Sequence, residues 1–376
     1  MVNRRIFWAV QGVLIGKMGY TTLAGVSSTV NGSDIFHDST QMNPVMGVQS
    51  VGITTNFNLE QAFELGQLAL YENVEEVPDI EVTMEKVIDG APLIYHLATP
   101  GATAAGLVGR SNARCDVRLA IYDDTAELAG GAGNKLQAEV YCSGMYVSSI
   151  AYSFPVDGNC TESVTLVGNH KEWIDSGGEA SVLNVFTDTA ALGMGALSSP
   201  TAAPSGVQRR ENVDVYQCTF PAEITSSGVD GGLEFTSTDR KVHINSISTS
   251  ADLGREEIRE LGKKGPYFRY VTFPLEVTCD FEVTATSGDF VNAFEEGRSS
   301  DKKNLNDRTI IIVLDEGLAV NLGTKNKLSS VTYGGGDTGG GNSTITFSYS
   351  TFNDFTVTHP RDPMTQTDTA AVLTRV

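Results

Sequence analysis

The residue types able to carry chemistry are sparse and do not converge. Five histidines, His37, His96, His170, His243 and His359, are scattered, with no HxH, no HExxH and no Cys/His pair at ligand spacing, so each is expected in a loop or at the surface rather than on a metal. Five cysteines, Cys115, Cys142, Cys160, Cys218 and Cys279, share no CxxC spacing and form an odd set, which predicts reduced thiols in a protein made in a cytoplasm. Acid/base work would need two carboxyl groups brought together, but Glu75-Glu76 and Asp123-Asp124 read as a solvated loop and strand end. The stretch GGGDTGGG from Gly334 to Gly341 lacks the Lys-Ser/Thr end of a phosphate loop and reads as a hairpin tip. No GxSxG nucleophile elbow occurs. The expectation is a protein that is not an enzyme and holds no metal or cofactor.

Charge narrows the classes further. Asp and Glu number 46 against 26 Lys and Arg, a net charge of −20 that opposes nonspecific binding to nucleic acid or an anionic membrane. The basic pairs Arg4-Arg5, Arg209-Arg210, Lys263-Lys264 and Lys302-Lys303 lack interleaved aromatics, so no base-stacking platform is indicated. The start, MVNRRIFWAVQGVLIGK, has two arginines before an apolar run, but Gln11, Gly12 and Lys17 interrupt it, so an N-terminal strand is expected rather than a secretory signal. No stretch reaches transmembrane length.

The elements that must position any site come from a duplication. Ser50 to Gly66, SVGITTNFNLEQAFELG, returns at an offset of 196 as Ser246 to Gly262, SISTSADLGREEIRELG. VSSIAYSFPVDGNCTESVT from Val147 returns at an offset of 181 as LSSVTYGGGDTGGGNSTIT from Leu328. The change of offset places about fifteen extra residues in the first copy, within Pro92 to Gly109. The chain therefore divides into a first domain over 1–175, a linker or arm over 176–207, a second domain over 208–360 and a tail over 361–376.

Each copy is expected to be mainly β, an antiparallel sandwich or barrel. Ile80, Val82 and Met84 alternate with Glu81, Thr83 and Glu85, and Leu275, Val277, Cys279, Phe281 and Val283 alternate with Glu276, Thr278, Asp280, Glu282 and Thr284. Cys279 is thereby expected to be buried. A short flanking helix is predicted in each copy. Asn58 caps the first, with Leu59, Ala62 and Phe63 on its apolar face and Gly66 as its stop; Asp252, Ile258, Leu261 and Gly262 do the same in the second.

With these patterns in place, the text from Val51 to Thr99 with the hairpin from Val147, and SADLGREEIRELGKKGPYFRYVTFPLEVTCDFEV in the second copy, resembles the tail tube proteins of long-tailed bacteriophages. The resemblance covers most of 45–175 and 205–358. It implies a virion structural protein, assembled in the bacterial host cytoplasm, whose strands join those of neighbours in stacked rings that form a hollow conduit for DNA. The implied partners are other copies of the chain, baseplate hub and tail terminator proteins, and a sheath if the tail contracts; DNA passes without specific binding, and no membrane is involved. Single-domain tube subunits close sixfold, so a doubled chain is expected to close as a trimer, with a hexamer as the competing geometry. Expected assembly residues are Leu59, Phe63, Leu65, Ile258 and Leu261; Glu276, Asp280 and Glu282 are candidates for an acidic lumen face, and Cys160, in a hairpin turn, for an intersubunit thiol. Pro92 to Gly109 and Ser176 to Gly206 are candidate ring-to-ring arms. A baseplate hub or tail-terminating ring is the alternative reading. A carbohydrate-binding sandwich pair is another, weakened by the presence of only Trp8 and Trp173.

Overall fold

Alternating apolar and polar residues dictate strands with one dry and one wet face, and the computed structural model is built from them. It describes residues 6, 11–17, 29–30, 33–34, 42–66, 68, 70–100, 102–122, 136–175, 206–215, 217–221, 223–224, 243–285, 291, 306–334 and 341–362. The first half comprises β1 Gln11–Lys17, β2 Thr29–Val30, β3 Ser33–Asp34, β4 Met42–Pro44, β5 Val48–Asn56, β6 Leu59–Phe63, β7 Leu70–Glu75, β8 Asp79–Val87, α1 Ile94–Ala98, α2 Leu107–Arg110, β9 Arg114–Tyr122, β10 Leu136–Pro155, β11 Thr161–Gly168 and β12 His170–Asp175. The second comprises β13 Ile244–Asp252, β14 Arg255–Ile258, β15 Phe268–Val271, β16 Glu276–Thr284, β17 Ile311–Val313, β18 Ala319–Asn321, β19 Lys327–Gly334, β20 Thr344–Phe352 and β21 Thr356–Thr358.

Eight of these strands form one antiparallel path in the order β19-β20-β16-β13-β10-β11-β8-β5. β10 is 20 residues long, and its first part leaves the path to pair with β9 and β12, bringing in β1 and β4. β17, β18 and β21 make a separate sheet in the second half. The expected alternation holds: Ile80, Val82 and Met84 are buried while Glu81, Thr83 and Glu85 are exposed, and Val277, Cys279, Phe281 and Val283 are all buried. One apolar cluster continues through both halves, from Val82, Val164 and Tyr152 to Phe281, Phe347 and Val320. Each such side chain removed from water contributes about 1.5–3 kcal/mol.

Both predicted flanking helices are instead hairpins, β6–β7 and β14–β15. Segments this short gain too few helical hydrogen bonds to offset nucleation, and the strand ladder takes their backbone. Asn58 does not cap a helix: its Nδ2 donates to Val77 O at 3.1 Å and to Asp79 Oδ2 at 2.9 Å. Asp252 Oδ1 accepts the Gly254 N–H at 3.0 Å in a tight turn. Gly66 and Gly262 have φ of +93° and +85°, the left-handed conformation expected of helix stops, but here they serve the hairpin turns.

Helix appears elsewhere. The extra residues of the first copy hold α1 and α2, with Leu93, Ile94, Leu97 and Leu107 buried and α1 packed among β1, β9, β10 and β11. This corrects the expectation of a projecting arm over Pro92 to Gly109, because the segment plugs the core. Residues 176–205 and 363–376, expected as arm and tail, lie outside the described residues.

Candidate assembly surfaces

Strand order and register repeat within the path. The set β5, β8, β11, β10 recurs as β13, β16, β20, β19. A row across the first set runs Gly52, Thr83, Thr165, Ser149; the matching row across the second runs Ser248, Asp280, Ser348, Ser330. Gly52 and Ser248 are separated by the first sequence offset, Ser149 and Ser330 by the second. Register shifts between Val48 and Ser50 and between Val147 and Ser149 recur between Ile244 and Ser246 and between Leu328 and Ser330. Bulges at matched places make the two sets bend alike.

The sets are joined head to tail. The last strand of the first, β10, pairs with the first strand of the second, β13, from Ser149–Asp252 to Pro155–Ser246. Bonds from Leu253 N to Ser148 O and from Val156 N to Asn245 O, both 2.8 Å, flank this seam. Alternation along an antiparallel ladder then aims the backbone groups of Ile150, Tyr152 and Phe154 at β13. Among the described residues β5 pairs only with β8 and β19 only with β20, so the chain presents the outer edge of a first strand at one end and that of a last strand at the other. By the two offsets, Val331 and Tyr333 occupy the places of Ile150 and Tyr152, and Thr55 and Ile53 those of Ala251 and Thr249.

The face of the path turned away from the core is made mainly of short hydroxyls and carboxylates, with Phe352 exposed at one strand end. Glu276, Asp280 and Glu282 lie on it beside Thr278, Ser248 and Ser348. Glu81 and Glu85, exposed on β8, extend the same face into the first half. Across the eight strands this face carries no arginine, and its lysine, Lys327 at a strand end, pairs with Asp307 at 2.8 Å. Period-two reading found the three acids of β16; Glu81 and Glu85 were legible by the same alternation, but their place beside β16 depends on the β10–β13 seam.

The expected assembly residues Leu59, Phe63, Leu65, Ile258 and Leu261 all sit on the two hairpins and are 55%, 65%, 103%, 45% and 105% exposed. The hairpins leave the same rim of the path, because β5 and β13 run in the same direction and each hairpin follows directly. Cys160 is not an accessible thiol: it is fully buried, burial raises its pKa to about 12, and its N–H donates to Gln208 O at 2.9 Å. The five thiols are unbridged.

Buried polar groups missed by the sequence reading join the halves through His96 and Arg110 and brace the first half through Lys86 and Glu162. His96 and His359, expected in loops or at the surface, are buried, whereas His170 and His243 are exposed and His37 lies outside the described residues. His96 Nε2 meets Val357 O at 3.1 Å, which requires the proton on Nε2, and Arg110 of α2 pairs with Asp362 while donating to Thr99 Oγ1 at 2.8 Å. Lys86 Nζ donates to Asp89 Oδ1 at 2.7 Å and Met46 O at 2.8 Å. Glu162 accepts the N–H groups of Ile94 at 2.7 Å and Tyr95 at 3.1 Å and the Tyr152 hydroxyl at 3.0 Å, fixing the start of α1 on the sheet. Burial lowers both histidine pKa values to about 3 and raises Glu316, 4.0 Å from His359, to about 7. Among the described residues no group of three or more His, Cys, Asp or Glu could hold a metal ion, and no helix is long and apolar enough to cross a membrane.

No protein-family model and no curated protein matches the sequence. Among solved structures, the cryo-EM structure of the anti-feeding prophage cap, described as the AFP tube terminating cap, matches with a TM-score of 0.30 and 11% identity, over 46% of this chain and 94% of that one. A likeness of this extent carries neither fold nor function to the chain.

Proposed function

We propose that the chain is a structural ring subunit of a phage-type tail tube, three copies closing head to tail into a conduit whose rings stack. The observation that carries this reading is the pair of outer edges, β5 and β19, which match the partners already joined inside the chain at the β13–β10 seam. A surface that repeats an internal joint in the complementary sense drives heterologous association, which ends only when the ring closes. It also removes both exposed edges.

Eight strands per chain give twenty-four in a ring of three. At a strand spacing of ~4.8 Å and a tilt of ~40°, that barrel is ~48 Å across between backbones, wide enough for an open channel. The face of hydroxyls and carboxylates would line it, repelling a polyanion from the wall and offering few cationic anchors, so that DNA slides. The resemblance of the sequence to tail tube proteins supports the same role.

Electron microscopy of the purified protein, with native mass measured on the same sample, tests the proposal. Stacked rings of three chains are expected. Rings of six would discard the trimer, single rings that never stack would favour a terminator or hub, and a dispersed monomer at every concentration would overturn the reading.

A further inference from the structure

The two rims of the path differ. At one stand the hairpins, and the β6–β7 hairpin exposes Leu65 and Leu68 completely. Over residues 59–76 its sequence carries five glutamates and neither lysine nor arginine. At the opposite rim, where β10 ends and β13 begins, a cavity of about 480 Å³ is lined by Phe154, Val156, Val213, Phe220 and Ile247, with Arg210 and Glu211 at its wall. Arg209 and Arg210 are both exposed there. An apolar tip on an acidic stem and an apolar cavity whose border sets Arg209 and Arg210 against Glu211 are complementary in shape class, and the excess of arginine at the border favours the acidic stem.

We infer that the β6–β7 hairpin of one copy docks in this cavity on a second copy in the next ring. Leu65 and Leu68 enter the cavity, and Glu64 faces Arg210. The β14–β15 hairpin leaves the same rim but carries Arg259, Lys263 and Lys264 near its turn, which the arginine excess at the border disfavours. The contact joins unlike rims, so it sets one polarity for the whole stack and cannot saturate by pairing two rings face to face. This inference rests on the ring proposal, and the two fail separately: native mass reads the ring, tube length reads the stack.

The test uses the full chain. Leu65→Asp/Leu68→Asp should leave rings of three but raise at least tenfold the protein concentration needed for tubes; tubes at the wild-type concentration would overturn the inference. Arg210→Glu should shorten tubes and Glu64→Arg in the same chain should lengthen them again, and a failure of that exchange to restore length would remove the assigned pair. Leu65→Cys with Val156→Cys, oxidised in assembled tubes, should give a ladder of linked chains on a non-reducing gel; intact tubes without that ladder would place the hairpin elsewhere. Wild-type protein that stays monomeric would end the ring proposal and this inference together.

Discussion

Val331→Pro is the substitution that most directly separates the proposed ring closure from folding. Val331 lies on β19 opposite Phe347 of β20, and the internal seam assigns its backbone N–H to the outer side. Proline there takes no donor from the ladder inside the chain, whereas at Thr332, paired with Thr346 and aimed at β20, it would. In the proposed ring, Val331/Thr55 and Tyr333/Ile53 of a neighbour each exchange backbone hydrogen bonds worth ~1 kcal/mol net. Losing about two of these at each of three junctions weakens the closed ring by ~6 kcal/mol, about four powers of ten in its formation constant. Sedimentation velocity across a concentration series reads that shift, and thermal melting of the dilute chain reads folding. Val331→Pro should melt close to wild type and fail to close, while Thr332→Pro should lose ~3 kcal/mol of stability. Rings of Val331→Pro at wild-type concentrations, or equal destabilisation by both prolines, would refute the register.

In the proposed tube, replacing Glu81, Glu85, Asp280 and Glu282 by lysine should convert a lumen that lets DNA pass into one that holds it. Filter retention of duplex DNA should rise and should fall steeply with added salt; unchanged retention would place this face outside the channel. Glu162→Gln should destabilise the chain by about 1–3 kcal/mol in chemical denaturation, since one of the N–H groups of Ile94 and Tyr95 loses its acceptor. Stability against pH should show a plateau between about 4.5 and 6.5. His96 and His359 titrate near 3 when folded against 6.5 when free, so the unfolded chain binds more protons between these limits and acidification destabilises. Glu139 and Glu316 titrate near 7 against 4.5, so the folded chain binds more protons between those limits and rising pH destabilises. The two effects oppose where they overlap, leaving a loss below about 4.5 and another above 6.5, and a midpoint that rises steadily from pH 4 to 8 would contradict the assignment.

The sheet was legible because period-two alternation is a burial statement: Ile80 to Glu85 and Leu275 to Thr284 face as their residue types require. The duplication was legible because matched bulges and rows need matched residues, as at Ser149 and Ser330. The hairpins were not legible. FNLEQAFELG satisfies a helical apolar spacing and a helix stop, and only pairing with residues 70–75 decides against it. Nor was the polar clamp, since His96 and His359 meet across 263 positions of chain and each looks isolated in its own neighbourhood. Cys160 read as a turn residue near Gly158, but Gln208, arriving from beyond the linker, covers it.

The β10–β13 seam changes how such a ring assembles and how it is seen from outside. In the proposed ring of six units, half of the junctions form at the effective concentration of a tethered neighbour, and most of the translational freedom that closing six separate units would cost is given up at synthesis. The tether also frees the two units from being alike. Among the described residues only the first carries the α1–α2 plug, and its hairpin is acidic where the other is mixed. A protein gripping the outside or the end of the proposed ring of three would therefore meet two kinds of unit in alternation, and its own symmetry would follow three rather than six.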